Sequence, residues 1–204
     1  MSTRLKPRKA VHEFLVELQL ELDAYTPNII ICGESPCESL SKHTLSCNVC
    51  PVETRNECMY HLRRRIRQRL SEEGCLATIL DEDEGIDYAS MDEKLILRKA
   101  DVDLVVVVPT SEGSISELSS FAEDDEIRPK LRVLVPWEYH PFYGASESYV
   151  TSVYEELLAE YGHVYPFEVD DGVHPDPLDV VSTLVSVYKR RRLLELDRGG
   201  HNNS

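Results

Sequence analysis

From residue 28 onward the chain alternates between two textures: short, nearly unbroken apolar runs, and longer stretches in which apolar residues recur every three or four positions. The runs within Asn28–Cys32, Cys75–Leu80, Asp101–Pro109, Leu131–Pro136 and His163–Val169 have the length of strands, and continuous apolarity over such a length predicts burial on both faces. The third is the clearest, because β-branched valines dominate it. Between the runs, the 3.6-residue spacing predicts helices over about 9–25, 56–73, 91–100, 114–125, 146–161 and 177–196. In the first, Phe14, Leu15, Leu18, Leu20 and Leu22 form a broad apolar stripe, and Thr26–Pro27 ends it. In the second, Met59, Leu62, Ile66 and Leu70 share one side, and Gly74 is its stop. The terminal Arg198–Ser204 reads as a disordered tail.

Strands alternating with helices predict an α/β protein: a three-layer, doubly wound, mostly parallel five-stranded sheet of flavodoxin-like or Rossmann-like layout. A helix over 1–26 packs on a single domain over 27–197, and a Cys-rich insertion over 33–61 follows the first strand. A length of 204 residues suits one such domain. No apolar run approaches the roughly 18 to 20 residues that cross a bilayer, and carboxylates interrupt the stretch after the basic N-terminus, which argues against a signal peptide. The expected location is the cytoplasm, with no membrane partner.

Charge changes the picture in one respect. There are 22 Lys and Arg against 37 Asp and Glu, a formal net charge of −15, and only 7 of the bases are Lys. Acids spread along the chain repel nucleic-acid phosphates, so bulk nucleic-acid binding is not expected. An acidic, lysine-poor composition resembles that of proteins from salt-loving archaea, in which a carboxylate-rich surface stays hydrated and its self-repulsion is screened.

Candidate chemistry gathers after the third strand. Ligands of open α/β sheets bind outside the carboxyl ends of the strands. There the chain reads Pro109-Thr-Ser-Glu-Gly-Ser-Ile-Ser-Glu-Leu118, a strand end running into a small, polar, Gly-containing turn and then a helix. Gly113 permits close backbone approach, Ser114 can cap the helix, and amides of the first turn can hold an anion. Glu117, three residues after Ser114, has the spacing of a capping box.

An apolar strand followed by Gly-Ser, two residues and Glu-Leu, here Gly113-Ser-Ile-Ser-Glu-Leu118, resembles the nucleoside 2-deoxyribosyltransferase-like superfamily. It is also similar to the Gly-Thr-x-x-Glu of lysine-decarboxylase-like phosphoribohydrolases and, in general layout, to Toll/interleukin-receptor-like NAD hydrolases. With Asn28–Gly33 opening the sheet and Asp101-Val-Asp103 leading the third strand, the resemblance extends over roughly 27–170. It implies cleavage or transfer at an N-glycosidic bond of a nucleoside, nucleotide or NAD-like compound, with Glu117 as the nucleophile. A carboxylate suits an oxocarbenium-like transition state. Glu112 or Ser111 then orients the base or sugar, Gly113 and Ser114 hold a 5′-phosphate, and Gly33, Glu34 and Ser35 form the facing wall. The chain departs from the pattern where Leu118-Ser-Ser120 lacks a Gly and where Glu112 stands in for the usual preceding Asp. No catalytic cofactor is implied. The competing reading is a non-catalytic nucleotide-binding sensor or signalling module in which Glu117 only caps the helix, with a second copy of the chain open as a partner.

Six cysteines stand at 32, 37, 47, 50, 58 and 75. Cys32 and Cys75 border apolar runs and read as small core residues. Cys47-Asn-Val-Cys50 and Cys58-Met-Tyr-His61 have the spacings of two ligand pairs, so Cys47, Cys50, Cys58 and His61, with Cys37 as alternate, fit a structural zinc site. The four thiols 37, 47, 50 and 58 would suit zinc or an iron–sulfur cluster. A closed four-ligand site serves folding rather than reaction.

Arg63-Arg-Arg-Ile-Arg-Gln-Arg69 turns its cations to several sides of a helix, which predicts pairing with nearby acids, with phosphate or RNA contact as the alternative; Arg190–Arg192 reads the same way. Pro136-Trp-Glu-Tyr-His-Pro-Phe-Tyr143 opens on the ligand edge, where aromatic rings such as Trp137 can stack on a base or nicotinamide, with Glu138 or His140 as polar partners, the alternative being a packed loop. Walker, Gly-x-Gly-x-x-Gly, Gly-x-Ser-x-Gly and His-Glu-x-x-His motifs are absent, which leaves kinase, dehydrogenase, serine-hydrolase and zinc-protease readings without support.

Overall fold

A computed structural model describes residues 12, 13, 16, 19–21, 24–33, 59–82, 90–109, 111–144, 149–168 and 173–200. The helical residues among 12–24 form α1. They are followed by β1 (Asn28–Gly33), α2 (Met59–Glu72), β2 (Leu76–Ile79), α3 (Ser90–Leu97), β3 (Leu104–Val108), α4 (Glu112–Ala122), β4 (Leu131–Pro136), α5 (Tyr149–Tyr161), β5 (Val164–Phe167) and α6 (Pro177–Gly200). The five strands are all parallel, in the order β2-β1-β3-β4-β5.

The unbroken apolarity of the strands follows from helices on both faces. Alternate side chains of a strand point to opposite sides. Ile29 and Ile31 of β1 and Leu104, Val106 and Val108 of β3 join Leu62, Ile66 and Leu70 of α2 and Val181 and Val185 of α6. Ile30 and Cys32, with Val105 and Val107, face the other way, onto Leu97 of α3, Leu118 and Phe121 of α4, and Tyr154 and Leu157 of α5. The central strands are therefore covered twice, as all-parallel sheets require. Pro166 sits in β5, an edge strand where a missing ladder donor is tolerated.

Several boundaries differ from the sequence expectation. Helix α4 begins at Glu112 rather than Ser114, because Ser111 caps it. Helix α6 runs on to Gly200, so Arg198–Gly200 of the expected disordered tail are helical; the Gly199–Gly200 pair is the first helix-weakening sequence the chain offers there. Leu20, expected in the buried stripe of the first helix, is 65% exposed; Phe14, Leu15, Leu18 and Leu22 lie outside the described residues. Cys32 and Cys75 are buried in the core as expected, and burial pushes the Cys75 thiol upward from its ordinary pKa. No helix among the described residues is long and apolar enough to cross a membrane.

Candidate functional site at the carboxyl edge of the sheet

Because the strands are parallel, their carboxyl ends share one edge. The order reverses at β1, with β2 on one side and β3, β4 and β5 on the other, so the switch point lies between the ends of β1 and β3. There Gly33 pairs with Val108. Gly33 has φ +149, and a Cβ on it would lie 2.7 Å from the Val108 carbonyl oxygen and 3.2 Å from Cδ of Arg63. Only glycine permits both that backbone angle and that approach.

Helix α4 starts immediately beyond. Ser111 is its N-cap in extended conformation (φ −115, ψ 160). Its Oγ accepts from the Ser114 amide at 3.3 Å, while the Ser111 amide donates to Ser114 Oγ at 3.0 Å. The capping box is therefore Ser111–Ser114, not the Ser114–Glu117 pair that the spacing suggested, and Ser114 is buried at the third helical position. Glu117 is thereby released from the capping role; it is half-buried in the second turn, beside the buried face of Ser114, Leu118 and Phe121. Glu112 and Gly113 are exposed in the first turn, and among the described residues a Cβ on Gly113 would meet nothing nearer than Ser111 Oγ at 4.0 Å. Five positions along a helix turn Glu112 about 140° away from Glu117, so the two carboxylates do not share a face. Tyr154 of α5 donates its buried hydroxyl to the Pro109 carbonyl at 3.1 Å and holds the strand exit in place; burial raises its pKa.

The neighbouring exit, after β4, is aromatic. Trp137 is half-buried and already engaged, stacked on Tyr143 (centroids 5.0 Å, 16°) and against His174 (4.1 Å). His140 is buried, stacks on Tyr143 at 4.7 Å, and accepts from the Phe142 amide at 3.3 Å; burial lowers its pKa. Gly144 closes this loop, since a Cβ there would lie 2.1 Å from the Glu138 carbonyl oxygen. His174, which carried no signal in the sequence, is brought to the β5 exit, with Nδ1 2.9 Å from Glu168 Oε2.

The arginine run divides. Arg64 and Arg67 clamp Glu82 at 2.7 and 2.9 Å, and Arg69 pairs with Glu73 at 2.8 Å, as expected. Arg63 is different: it is 1% exposed and lies under the switch point, against Gly33. Nothing in a run of similar residues distinguishes it; only the packing of α2 on β1 does. Of the expected site residues, Gly33, Ser111, Glu112, Gly113, Ser114 and Glu117 stand at or just beyond the ends of the two switch-point strands, and Trp137 follows β4. Glu34 and Ser35 lie outside the described residues, as do Cys37, Cys47, Cys50 and Cys58; His61, half-buried in the early part of α2, is the one described member of the expected metal set. No group of three or more metal-ligating side chains occurs among the described residues.

Two cavities among the described residues lie elsewhere. One, of about 360 Å³, runs between α4 and α5 past Glu123, Arg128 and Glu156. The other, of about 530 Å³, opens at the amino ends of β3, β4 and β5.

Fold and edge together define a doubly wound α/β protein whose polar turn residues meet at the switch point. The sequence pattern of the STM3845 retron effector protein family matches residues 76–191, more than half of the 204, and the chain belongs to that family. The matched stretch begins with β2 and ends within α6, taking in the Ser111–Glu117 turn but not Gly33 or the cysteine-rich segment. No curated protein matches the chain.

Proposed function

We propose that the chain cleaves or transfers at an N-glycosidic bond of a nucleoside, nucleotide or NAD-like compound, with Glu117 as the reacting carboxylate. One observation carries this reading: the segment resembling the nucleoside 2-deoxyribosyltransferase-like pattern, Gly113–Leu118, opens the helix that leaves β3 at the switch point. In the proposed reaction the bond from C1′ to the base nitrogen breaks and its electron pair leaves with the base. A Glu117 oxygen stabilises the positive charge at C1′ or bonds to it as a glycosyl ester, which water or an acceptor then resolves. A half-buried carboxylate acts more strongly on that charge than a fully hydrated one. Glu112 serves as the proton-handling group if the substrate lies across the helix end. The capping bonds occupy the Ser114 amide, so a 5′-phosphate falls to the amides of Glu112 and Gly113.

Membership in a family named for a retron effector supports an active role in a retron. A structural zinc on Cys47, Cys50, Cys58 and His61, with Cys37 as alternate, belongs to the same proposal, as do a cytoplasmic location and a salt-rich working solution suggested by the charge of −15.

The test is chromatography of the protein incubated in high salt with nucleosides, nucleotides and NAD. Free base is expected with the native sequence, and at least a hundredfold less with Glu117→Gln at equal stability. Binding without turnover, unchanged by the substitution, would leave the non-catalytic sensor instead. Elemental analysis finding no zinc would remove the metal site.

A further inference from the structure

The cavity of about 530 Å³ at the amino edge of the sheet is lined by Lys130, Arg132, Arg191 and Arg192 against Asp103, Glu160 and Glu195, a formal 4 − 3 = +1 in a chain of −15. The acids do not cancel the cations evenly. The Asp103 carboxylate accepts from Tyr25 Oη at 2.7 Å, Tyr188 Oη at 2.9 Å and the Asn28 amide at 2.8 Å, which ties the segment before β1, helix α6 and the start of β1 together. Glu195 takes Arg191 at 3.0 Å and lies 3.7 Å from Arg192. Arg132, on β4, touches no carboxylate among the described residues: its Nη1 donates to the carbonyls of Pro129 (3.1 Å) and Leu131 (2.5 Å) and lies 2.9 Å from His163 Nδ1. Lys130 donates to the carbonyls of Leu97 and Lys99 and has Glu126, Asp101 and Asp103 near enough to act on its charge, so it is the better compensated of the two. The carbonyl and imidazole partners of Arg132 satisfy hydrogen bonds without neutralising its charge, and a partly desolvated cation without a counterion is costly. The positive field is felt locally. His163 is held down to about 4 by burial and then by Arg132 and Arg191, and Arg132 is itself lowered by burial and by Arg191. Tyr161 and Tyr188 line the same cavity with aromatic rings, and its volume suits a ligand of nucleotide size.

We propose that this amino-edge cavity is a second binding site, distinct from the carboxyl edge, which takes a small phosphomonoester with its dianion against Arg132, His163 and Arg191. A guanidinium that retains free donors is suited to a phosphate oxygen, and the phosphate supplies the missing counterion.

The experiment is calorimetric titration of the full chain, at fixed ionic strength, with inorganic phosphate, a nucleoside 5′-monophosphate, and an oligonucleotide bearing only internal phosphodiesters. The monophosphate is expected to bind at least as tightly as inorganic phosphate and about tenfold more tightly than the oligonucleotide per site. Arg191→Glu, at an exposed position, weakens binding about tenfold, whereas Arg190→Glu, the same charge change outside the lining, stays within twofold. Glu117→Gln leaves this binding unchanged, which separates it from the proposed reaction. The site is overturned if the monophosphate does not bind at millimolar concentration, if the oligonucleotide binds equally well, if both arginine variants weaken binding alike, or if Glu117→Gln abolishes it.

Discussion

The two edges of the sheet are built from different chemistry. At the carboxyl edge a turn of glycine, serine and glutamate and a set of packed aromatic and histidine rings lie beside one buried arginine; at the amino edge arginine, lysine, histidine and tyrosine line a pocket with Asp103, Glu160 and Glu195. Parallel strands explain the division. Every β-to-α turn falls on one edge and every α-to-β turn on the other, so helix N-termini gather at the first and C-termini at the second. Serines and acids suit the positive N-terminal ends, and Ser111 and Glu112 stand at one of them. Cations suit the C-terminal carbonyls, and Lys130 donates to Leu97 and Lys99 at the end of α3. A chain of net charge −15 can thus keep a positive pocket, because the fold and not the composition decides where its few bases meet.

Perturbing each edge separately sharpens the contrast. The largest effect is expected at the switch point: Gly33→Ala places a Cβ 2.7 Å from the Val108 oxygen at a positive φ and costs about 3 kcal/mol in denaturant unfolding. Stability within 0.5 kcal/mol of native would mean the two strand ends part freely. At the amino edge, Asp103→Asn weakens a carboxylate that holds two tyrosines and the Asn28 amide, lowering stability by about 2 kcal/mol. The same change raises the pocket's charge, so phosphate affinity is expected to rise a few-fold while the fold weakens; a fall in both would make Asp103 part of the binding surface.

Acid should act on both edges through histidines, one buried (His140) and one half-buried (His163). Burial holds His140 below its ordinary pKa of 6.5, and burial with two arginines holds His163 at about 4. The unfolded chain therefore binds more protons between about pH 4 and 6.5. Stability from the neutral rings is whole above 6.5 and is lost as pH falls through that window, by about 1 to 2 kcal/mol for His163 after allowing for partial exposure. Unfolding of His163→Gln across the same range should show a shallower slope, and an unchanged slope would assign the loss to other groups. The smallest effect is local: Ser111→Ala removes the cap of α4 and costs about 1 kcal/mol, with the amino-edge pocket unaffected. A change in phosphate binding would show the edges to be coupled.

Much of the fold was legible because its signals are local. The span Leu131–Pro136 matched to the residue, and the valines of β3 announced a strand buried on both faces. The α4 boundary was missed by two residues, since Ser111 and Ser114 are both acceptable caps and only the backbone angle at Ser111 chooses between them. The site was half legible. The polar turn after β3 stood out, but His174 and Tyr154 gave no sign of reaching neighbouring strand exits, because side chains meet there across long sequence separations. Arg132 and His163, 31 residues apart, could not be paired by spacing at all.

The sequence alone determined the order and kind of the central elements, the double covering of the sheet and the small polar turn at β3, since these follow from periodicity, β-branching and turn chemistry within a few residues. Tertiary structure decided which arginine of a run is buried beneath Gly33, which serine caps α4, and which scattered cations converge at the amino edge. Those outcomes depend on strand order and on which helix packs on which face, and in a parallel sheet the crossovers bring together residues that no local pattern connects.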